Sequence, residues 1–273
     1  MVEKGVPSYL THIISSTLSW LKEGEREAIL HLASARLTER SGRSALPSIT
    51  RTFRIPVADG ESEVKIHEPA LTEDRLGHKT WGSANILAKL LWRLKKEYVL
   101  REDLNDGERL RILELGAGTG LAGIAASKLW PKATVHLTDL FEIVPNLEAN
   151  IHANSSTNRR TIVTAGVLDW SACPSSGAKN RYDLILAADS LYDDSHAPML
   201  VNVVDTQLKR SEAANVLTVL PYRDMRKGFH DQLQREMEDK EFQDVEQGDE
   251  SGGEDWNGGA QVEFWWCLWA RKE

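Results

Sequence analysis

Residues 111–123 read RILELGAGTGLAG: a short apolar run stops at a loop in which Gly116, Gly118 and Gly120 alternate, and a small-residue helical pattern follows. Glycine enters left-handed backbone without steric penalty, so this stretch turns a buried strand abruptly into a helix. Missing side chains also let backbone N–H groups at the helix N-terminus approach a ligand. Loops of this kind bind nucleotides, and two spellings overlap here. Gly118, Gly120 and Gly123 give the G-x-G-x-x-G of a dinucleotide site, while Glu114, Gly116, Gly118 and Gly120 give the E-x-G-x-G-x-G of an S-adenosylmethionine site. Neither pattern decides the ligand alone.

The surrounding periodicity sets the fold. Helical patterns at SANILAKLLWRLKKEY, LAGIAASKLW, IVPNLEANIHAN, HAPMLVNVVDTQLKR and GFHDQLQREMEDKEF separate the strand patterns RILEL, ATVHLTDL, TIVTAGVLDW, YDLILAAD and NVLTVLPY, and QVEFWWCLWARK closes the chain. Near-continuous apolar strands between amphipathic helices predict an α/β domain with a mostly parallel sheet covered on both faces. The final strand is expected to pair antiparallel at the end of that sheet. Upstream, SYLTHIISSTLSWL and EREAILHLASARLTER read as helices split at Gly24, and SITRTFRI and SEVKIHEPA read as a β-ribbon around ADGE. The expected division is therefore an extension of helices and ribbon over residues 1–78 and a catalytic-type domain over 79–273.

Charge and cysteine content narrow the partners. Ten acidic residues stand against Lys240 between Glu236 and Asp255, which leaves the rest of the chain close to neutral. Direct nucleic-acid binding is not expected of such a body. Residues 247–259, acidic and glycine-rich, read as a solvated mobile loop. No apolar stretch reaches membrane-spanning length and no secretory signal is recognisable, so an intracellular protein, cytoplasmic with the nucleus as a second compartment, is expected. Cys173 and Cys267 lack metal or disulfide spacing, and no metal site is expected. A monomer is the expected state.

Ligands of open parallel sheets sit beyond the carboxyl ends of the strands. At those ends the sequence puts the glycine loop, then Asp139, 19 residues past Gly120 and suited to ribose hydroxyls, then LDW and then ADSLY. The ordered set TWGSANILAKLL, ILELGAGTGLAGIAASKL, VHLTDLFEIVPNLEANIHAN, LDW and DLILAADSLYDD resembles methyltransferase family 16, the seven-β-strand, S-adenosylmethionine-dependent protein-lysine methyltransferases of fungal type. The resemblance implies a Rossmann-like class I methyltransferase fold. It assigns Trp81, Glu114, Gly116, Ala117, Gly118, Asp139, Trp170 and Ala188 to the S-adenosylmethionine pocket. Core roles for Trp81 and Trp170, and a bracing role for Glu114, stay open as alternatives.

DSLY, Asp189 to Tyr192, matches the family's acidic-x-x-aromatic motif, which faces the acceptor amine. The chemistry suits those residue types. A lysine amine of pKa about 10.4 costs about 4–5 kcal/mol to deprotonate at neutral pH. A carboxylate at Asp189 can hold the amine and orient its lone pair, and the Tyr192 ring can flank the alkyl stem. Asp193, Asp194 and His196 read as a solvated helix start. The implied partner is a folded protein, a translation elongation factor or chaperone by resemblance. An arginine or small-molecule N-methyltransferase, and a non-catalytic subunit of a methyltransferase complex, are the alternatives.

Overall fold

The computed structural model describes residues 6–16, 18, 20–26, 28–30, 32–33, 48–70, 76–97, 109–155, 161–172, 182–222, 228–253 and 261–272. Two compact units divide the chain: Thr50–Glu68 with Gly77–Glu273, and Met1–Ile49 with Pro69–Leu76. In the smaller unit α1 spans Val6–Ser15, and the described residues between 23 and 33 are helical. The remainder of the second expected helix, beyond Ala33, lies outside the described residues.

The larger unit begins with the ribbon, β1 (Ile49–Val57) and β2 (Gly60–Glu68). It continues with α2 (Gly82–Glu97), β3 (Arg111–Leu115), α3 (Leu121–Leu129), β4 (Thr134–Asp139), α4 (Val144–Ala153), β5 (Ile162–Val167) and β6 (Leu184–Ala188). Then follow α5 (His196–Gln207), β7 (Asn215–Pro221), α6 (Gly228–Asp239), β8 (Phe242–Gly253) and β9 (Gln261–Arg271). The seven-stranded sheet has the order β5-β4-β3-β6-β7-β9-β8. Strands β3 to β7 run parallel, and β9 lies antiparallel to both β7 and β8. The chain winds outward from β3 through β4 to β5, then returns to the other side of β3 with β6. That reversal is the topological switch point, and the crevice beyond β3 and β6 is the expected ligand site of such a sheet.

Alternation along each strand feeds two cores. Ile112, Leu184, Leu186 and Leu217 pack on one face with Leu87, Leu91, Ile124 and Ala125 of α2 and α3. Leu113, Leu115, Ile185 and Val216 pack on the other with Leu200, Val201, Val204, Leu233 and Met237 of α5 and α6. Each fully buried aliphatic contributes about 1.5–3 kcal/mol.

The ribbon departs from the expected 1–78 division, because it is built into the larger unit. Ile55, Val64 and Ile66 belong to the α2/α3 core. Side chains of α4 complete the hydrogen bonding of β2: the His67 N–H donates to Asn150 Oδ1 (2.8 Å), and Asn150 Nδ2 donates to the His67 and Thr119 carbonyls (3.0 Å each). Asn154 repeats the pattern on Lys65, accepting its N–H (2.9 Å) and donating to its carbonyl (2.6 Å). Composition cannot reveal that surface-looking asparagines serve as a substitute strand.

A second departure concerns the expected acidic loop. Residues 247–253 are strand, paired in register with β9 through Gly253↔Gln261, and residues 254–259 lie outside the described residues. Gly248 lies flat on the Trp266 indole, Trp265 Nε1 donates to Gln247 Oε1 (3.0 Å), and Glu250 pairs with Arg93 (3.0 Å). The aromatic partner strand supplies order that the charged segment lacks alone. β8, not β9, forms the sheet edge, and its carboxylates discourage pairing with another chain. Cys267 is buried, which raises its thiol pKa, with the Asp244 charge adding to the rise. Cys173 lies outside the described residues.

The packing of α3 against β3 and β4 leaves no room at one glycine. A Cβ on Gly123 would sit 2.5 Å from Glu114 Oε2 and 2.7 Å from Leu137 Cγ, whereas one on Gly228 would meet nothing within 4 Å. Gly123→Ala is expected to lower unfolding free energy by about 1–3 kcal/mol. Gly228→Ala is expected to be neutral or to stabilise by up to about 1 kcal/mol. Urea unfolding of the two variants makes the comparison.

Candidate active site

The loop after β3 depends on three left-handed glycines, Gly116 (φ 64°), Gly118 (φ 55°) and Gly120 (φ 87°). Their geometry is pinned from β4. The Ala117 N–H donates to the Thr138 carbonyl (3.0 Å), Thr138 Oγ1 donates to the Glu114 carbonyl (2.7 Å), and the Gly118 N–H donates to Asp139 Oδ2 (2.7 Å). Asp139 Oδ1 accepts the Leu140 N–H (2.7 Å). Burial raises the Asp139 pKa; the two N–H donors oppose the rise and the Glu142 charge adds to it. Asp139 thus closes the second strand with its carboxylate held against the glycine loop.

Glu114 is placed differently from the pocket-lining role assigned to it. The strand alternation turns its side chain to the same face as Ile112, toward α3, where Glu114 Oε2 accepts the Gly123 N–H (2.8 Å). It is buried and satisfies a donor in the first turn of α3, so it braces the loop from behind. Burial lifts its pKa to about 8; the Gly123 N–H opposes the rise and the Asp139 charge adds to it.

Trp170 opens a short helical turn after β5 and lies against Gly116: a Cβ there would meet the Trp170 ring at 3.4 and 3.5 Å and Ser190 Cβ at 3.8 Å. On the other side of the loop, the Gly77 carbonyl lies 3.1 Å from where a Gly118 Cβ would be. Thr80 Oγ1 and Thr119 Oγ1 share a hydrogen bond of 2.8 Å. Trp81 follows directly, half-buried, as the last residue before α2. This approach segment is anchored by buried Glu68 of the ribbon. Glu68 pairs with Lys79 Nζ (2.8 Å) and Arg51 (3.3 Å) and accepts the Thr80 N–H (3.3 Å). Burial alone raises the Glu68 pKa, but Lys79, Thr80 and Arg51 together bring it below the usual value.

Ala188 ends β6, next to β3 in the sheet. Asp189 follows with φ 51°, a left-handed conformation that is costly for a residue with a side chain, and its N–H donates to the Val219 carbonyl (2.9 Å). Strain of this kind concentrates at functional positions. Tyr192 is more than half exposed. Burial of its hydroxyl raises its pKa, and the charges of Asp139, Asp193 and Glu142 add to the rise.

His196 is the neighbour that the motif did not single out. Its ring stands edge-on to Tyr192 (centroids 4.1 Å, 78°) and to Trp170 (6.2 Å, 84°), and its Nδ1 accepts the Tyr192 N–H at 3.4 Å. No periodicity in the sequence signals this contact, because α5 begins only at His196 and Tyr192 lies in the turn before it. Asp193 instead accepts the Ser195 N–H (2.9 Å) and Oγ (2.6 Å) in a local turn, and the Ser195 hydroxyl and N–H hold its pKa below the ordinary value. Among the described residues no cluster of His, Cys, Asp and Glu converges to hold a metal ion. A depression lined by Arg210, Glu212, Glu241 and Arg271 lies at the opposite pole, where β7 begins and β9 ends, and contains none of these residues.

Two outcomes follow from the buried carboxyls. Glu114 has a folded pKa of about 8 against an ordinary value of 4.5, so the folded state binds its proton more tightly. The associated stability is fully present below the ordinary value and is lost as pH rises toward 8. Relative to wild type, Glu114→Gln is expected to gain more than about 1 kcal/mol in urea unfolding between pH 5 and pH 8; a pH-independent difference would contradict this. Glu68→Ala leaves Lys79 buried without its carboxylate and is expected to cost about 3–5 kcal/mol in the same measurement.

A family profile described as lysine methyltransferase matches residues 59–243. The protein-lysine N-methyltransferase EFM2 of Saccharomyces cerevisiae is 32% identical over 251 residues, covering 86% of this chain and 58% of that protein. The protein-lysine N-methyltransferase rrg1 of Schizosaccharomyces pombe is 30% identical over 98% of this chain and 86% of its own length. The chain therefore spans little more than half of the first relative and most of the second. A crystal structure of a proposed RNA methyltransferase from Pyrococcus horikoshii superposes with a TM-score of 0.51 at 14% identity, over 69% of this chain and 84% of that one, a likeness of fold alone. With a profile spanning β2, the glycine loop and the DSLY motif, this chain belongs to the lysine methyltransferase family.

Proposed function

We propose that the protein is an S-adenosylmethionine-dependent protein-lysine N-methyltransferase acting on one folded protein, of the elongation-factor or chaperone class that the resemblance implies, in the cytoplasm and secondarily the nucleus. The single observation that carries the reading is the adjacency of β3 and β6. The left-handed glycine loop and the strained Asp189 follow neighbouring strands on either side of the switch point.

The residues fit the cofactor. A side chain at Gly116 would fill the space under the Trp170 ring, so that side of the loop is kept open for a ligand, while Gly118 lets the 77–79 backbone approach the loop closely. In this reading Gly116, Ala117 and Gly118 support the amino-acid end, Asp139 holds the ribose, and Trp81, Trp170 and Ala188 wall the pocket. When bound, S-adenosylmethionine supplies a methyl group on a sulfonium, which a neutral amine takes by in-line displacement. Asp189 receives the lysine ammonium as a charge-assisted hydrogen bond and holds the amine, once its proton has left to solvent, with its lone pair directed into the crevice. The Tyr192 ring, steadied by His196, flanks the aliphatic stem and excludes water. The non-catalytic alternative has less support, because a subunit free of chemistry has no need to keep Asp189 in a costly backbone conformation.

The test is incubation with labelled S-adenosylmethionine and a lysate lacking the endogenous enzyme, with the labelled protein identified by mass spectrometry. Label on a lysine is expected. Asp189→Ala is expected to lower transfer about 100-fold, in the range typical of lost substrate positioning, with little change in cofactor affinity. Asp139→Ala is expected to lose cofactor binding. Label on arginine or only in small molecules would overturn the substrate assignment.

A further inference from the structure

Ser190 lies inside the DSLY motif, yet neither the carboxylate nor the aromatic role falls to it. It is 5% exposed, and its hydroxyl is enclosed without a hydrogen-bond partner among the described residues. A hydroxyl with no partner destabilises a protein interior unless something supplies the missing bond. Its surroundings indicate where that partner comes from. The place a Cβ on Gly116 would occupy lies 3.8 Å from Ser190 Cβ and 3.4 Å from the Trp170 ring, so the serine and the indole flank a slot that the glycine leaves open. A serine hydroxyl moves between staggered rotamers at small cost and reaches that slot by turning about one bond.

We propose that Ser190 is a cofactor-binding residue, its hydroxyl bonding the charged amino-acid end of the bound methyl donor over Gly116. The inference rests on the proposed use of S-adenosylmethionine and adds a contact beyond the glycine loop and Asp139.

The test is calorimetric and needs no acceptor protein. Binding of S-adenosylhomocysteine, which keeps the amino-acid end, is compared with binding of methylthioadenosine, which lacks it, on wild type, Ser190→Ala and Ser190→Cys. A hydrogen bond to a charged group predicts that Ser190→Ala weakens S-adenosylhomocysteine roughly tenfold, leaves methylthioadenosine unchanged and melts no lower than wild type when free of ligand. Ser190→Cys, close in shape and a weak donor, is expected to fall between the two and serves if the alanine variant does not fold. Equal affinities of variant and wild type for S-adenosylhomocysteine would overturn the proposal, as would an equal loss for both ligands. Failure of wild type to bind either ligand would instead overturn the cofactor reading on which it stands.

Discussion

The bond from the Gly123 N–H to buried Glu114 fixes α3 against β3, and the rest of the site is assembled on that junction. With the helix start held from behind, the three glycines between strand and helix can turn left-handed without fraying, and Asp139 takes the Gly118 N–H from the front. The loop is thus gripped by two carboxyl groups from adjacent strands, each accepting a backbone donor. Only Gly123 allows this approach, since a side chain there would displace Glu114 or Leu137.

Around that junction the structure spends buried polar groups freely. Glu68, Lys79, Thr80 and Thr119 form a chain of contacts from the ribbon to the glycine loop, and Asn150 bridges the same two elements by bonding His67 and Thr119. A buried ion pair adds little net stability against apolar packing, so its value here is positional. It fixes the segment that leads into Trp81. The ribbon is thereby a support of the proposed cofactor pocket.

Much of this was legible in one dimension. The alternation of apolar strands with amphipathic helices, the glycine spacing and the acidic strand end at Asp139 follow from local sterics and periodicity, and all recur in the sheet at the expected places. What failed did so for non-local reasons. Residues 247–253 look like a solvated loop until β9 lies beside them, and Glu114 looks like part of a ligand motif until pleating turns it toward α3. Ser190 and His196 carry no signal of their own. Their meaning lies in what surrounds them: a slot over Gly116 for one, two aromatic edges for the other.

The sequence by itself determined the sheet class, the glycine-loop geometry and the chemical types at the strand ends, because backbone sterics and hydrophobic periodicity are written residue by residue. Tertiary structure alone decided that β6 returns beside β3 and brings Asp189 to the glycine loop, that asparagines of α4 complete the ribbon, and that an acidic segment closes the sheet as its edge. Those outcomes depend on which distant surface covers each group, and hydrogen bonds and burial have strength only once that neighbour is present.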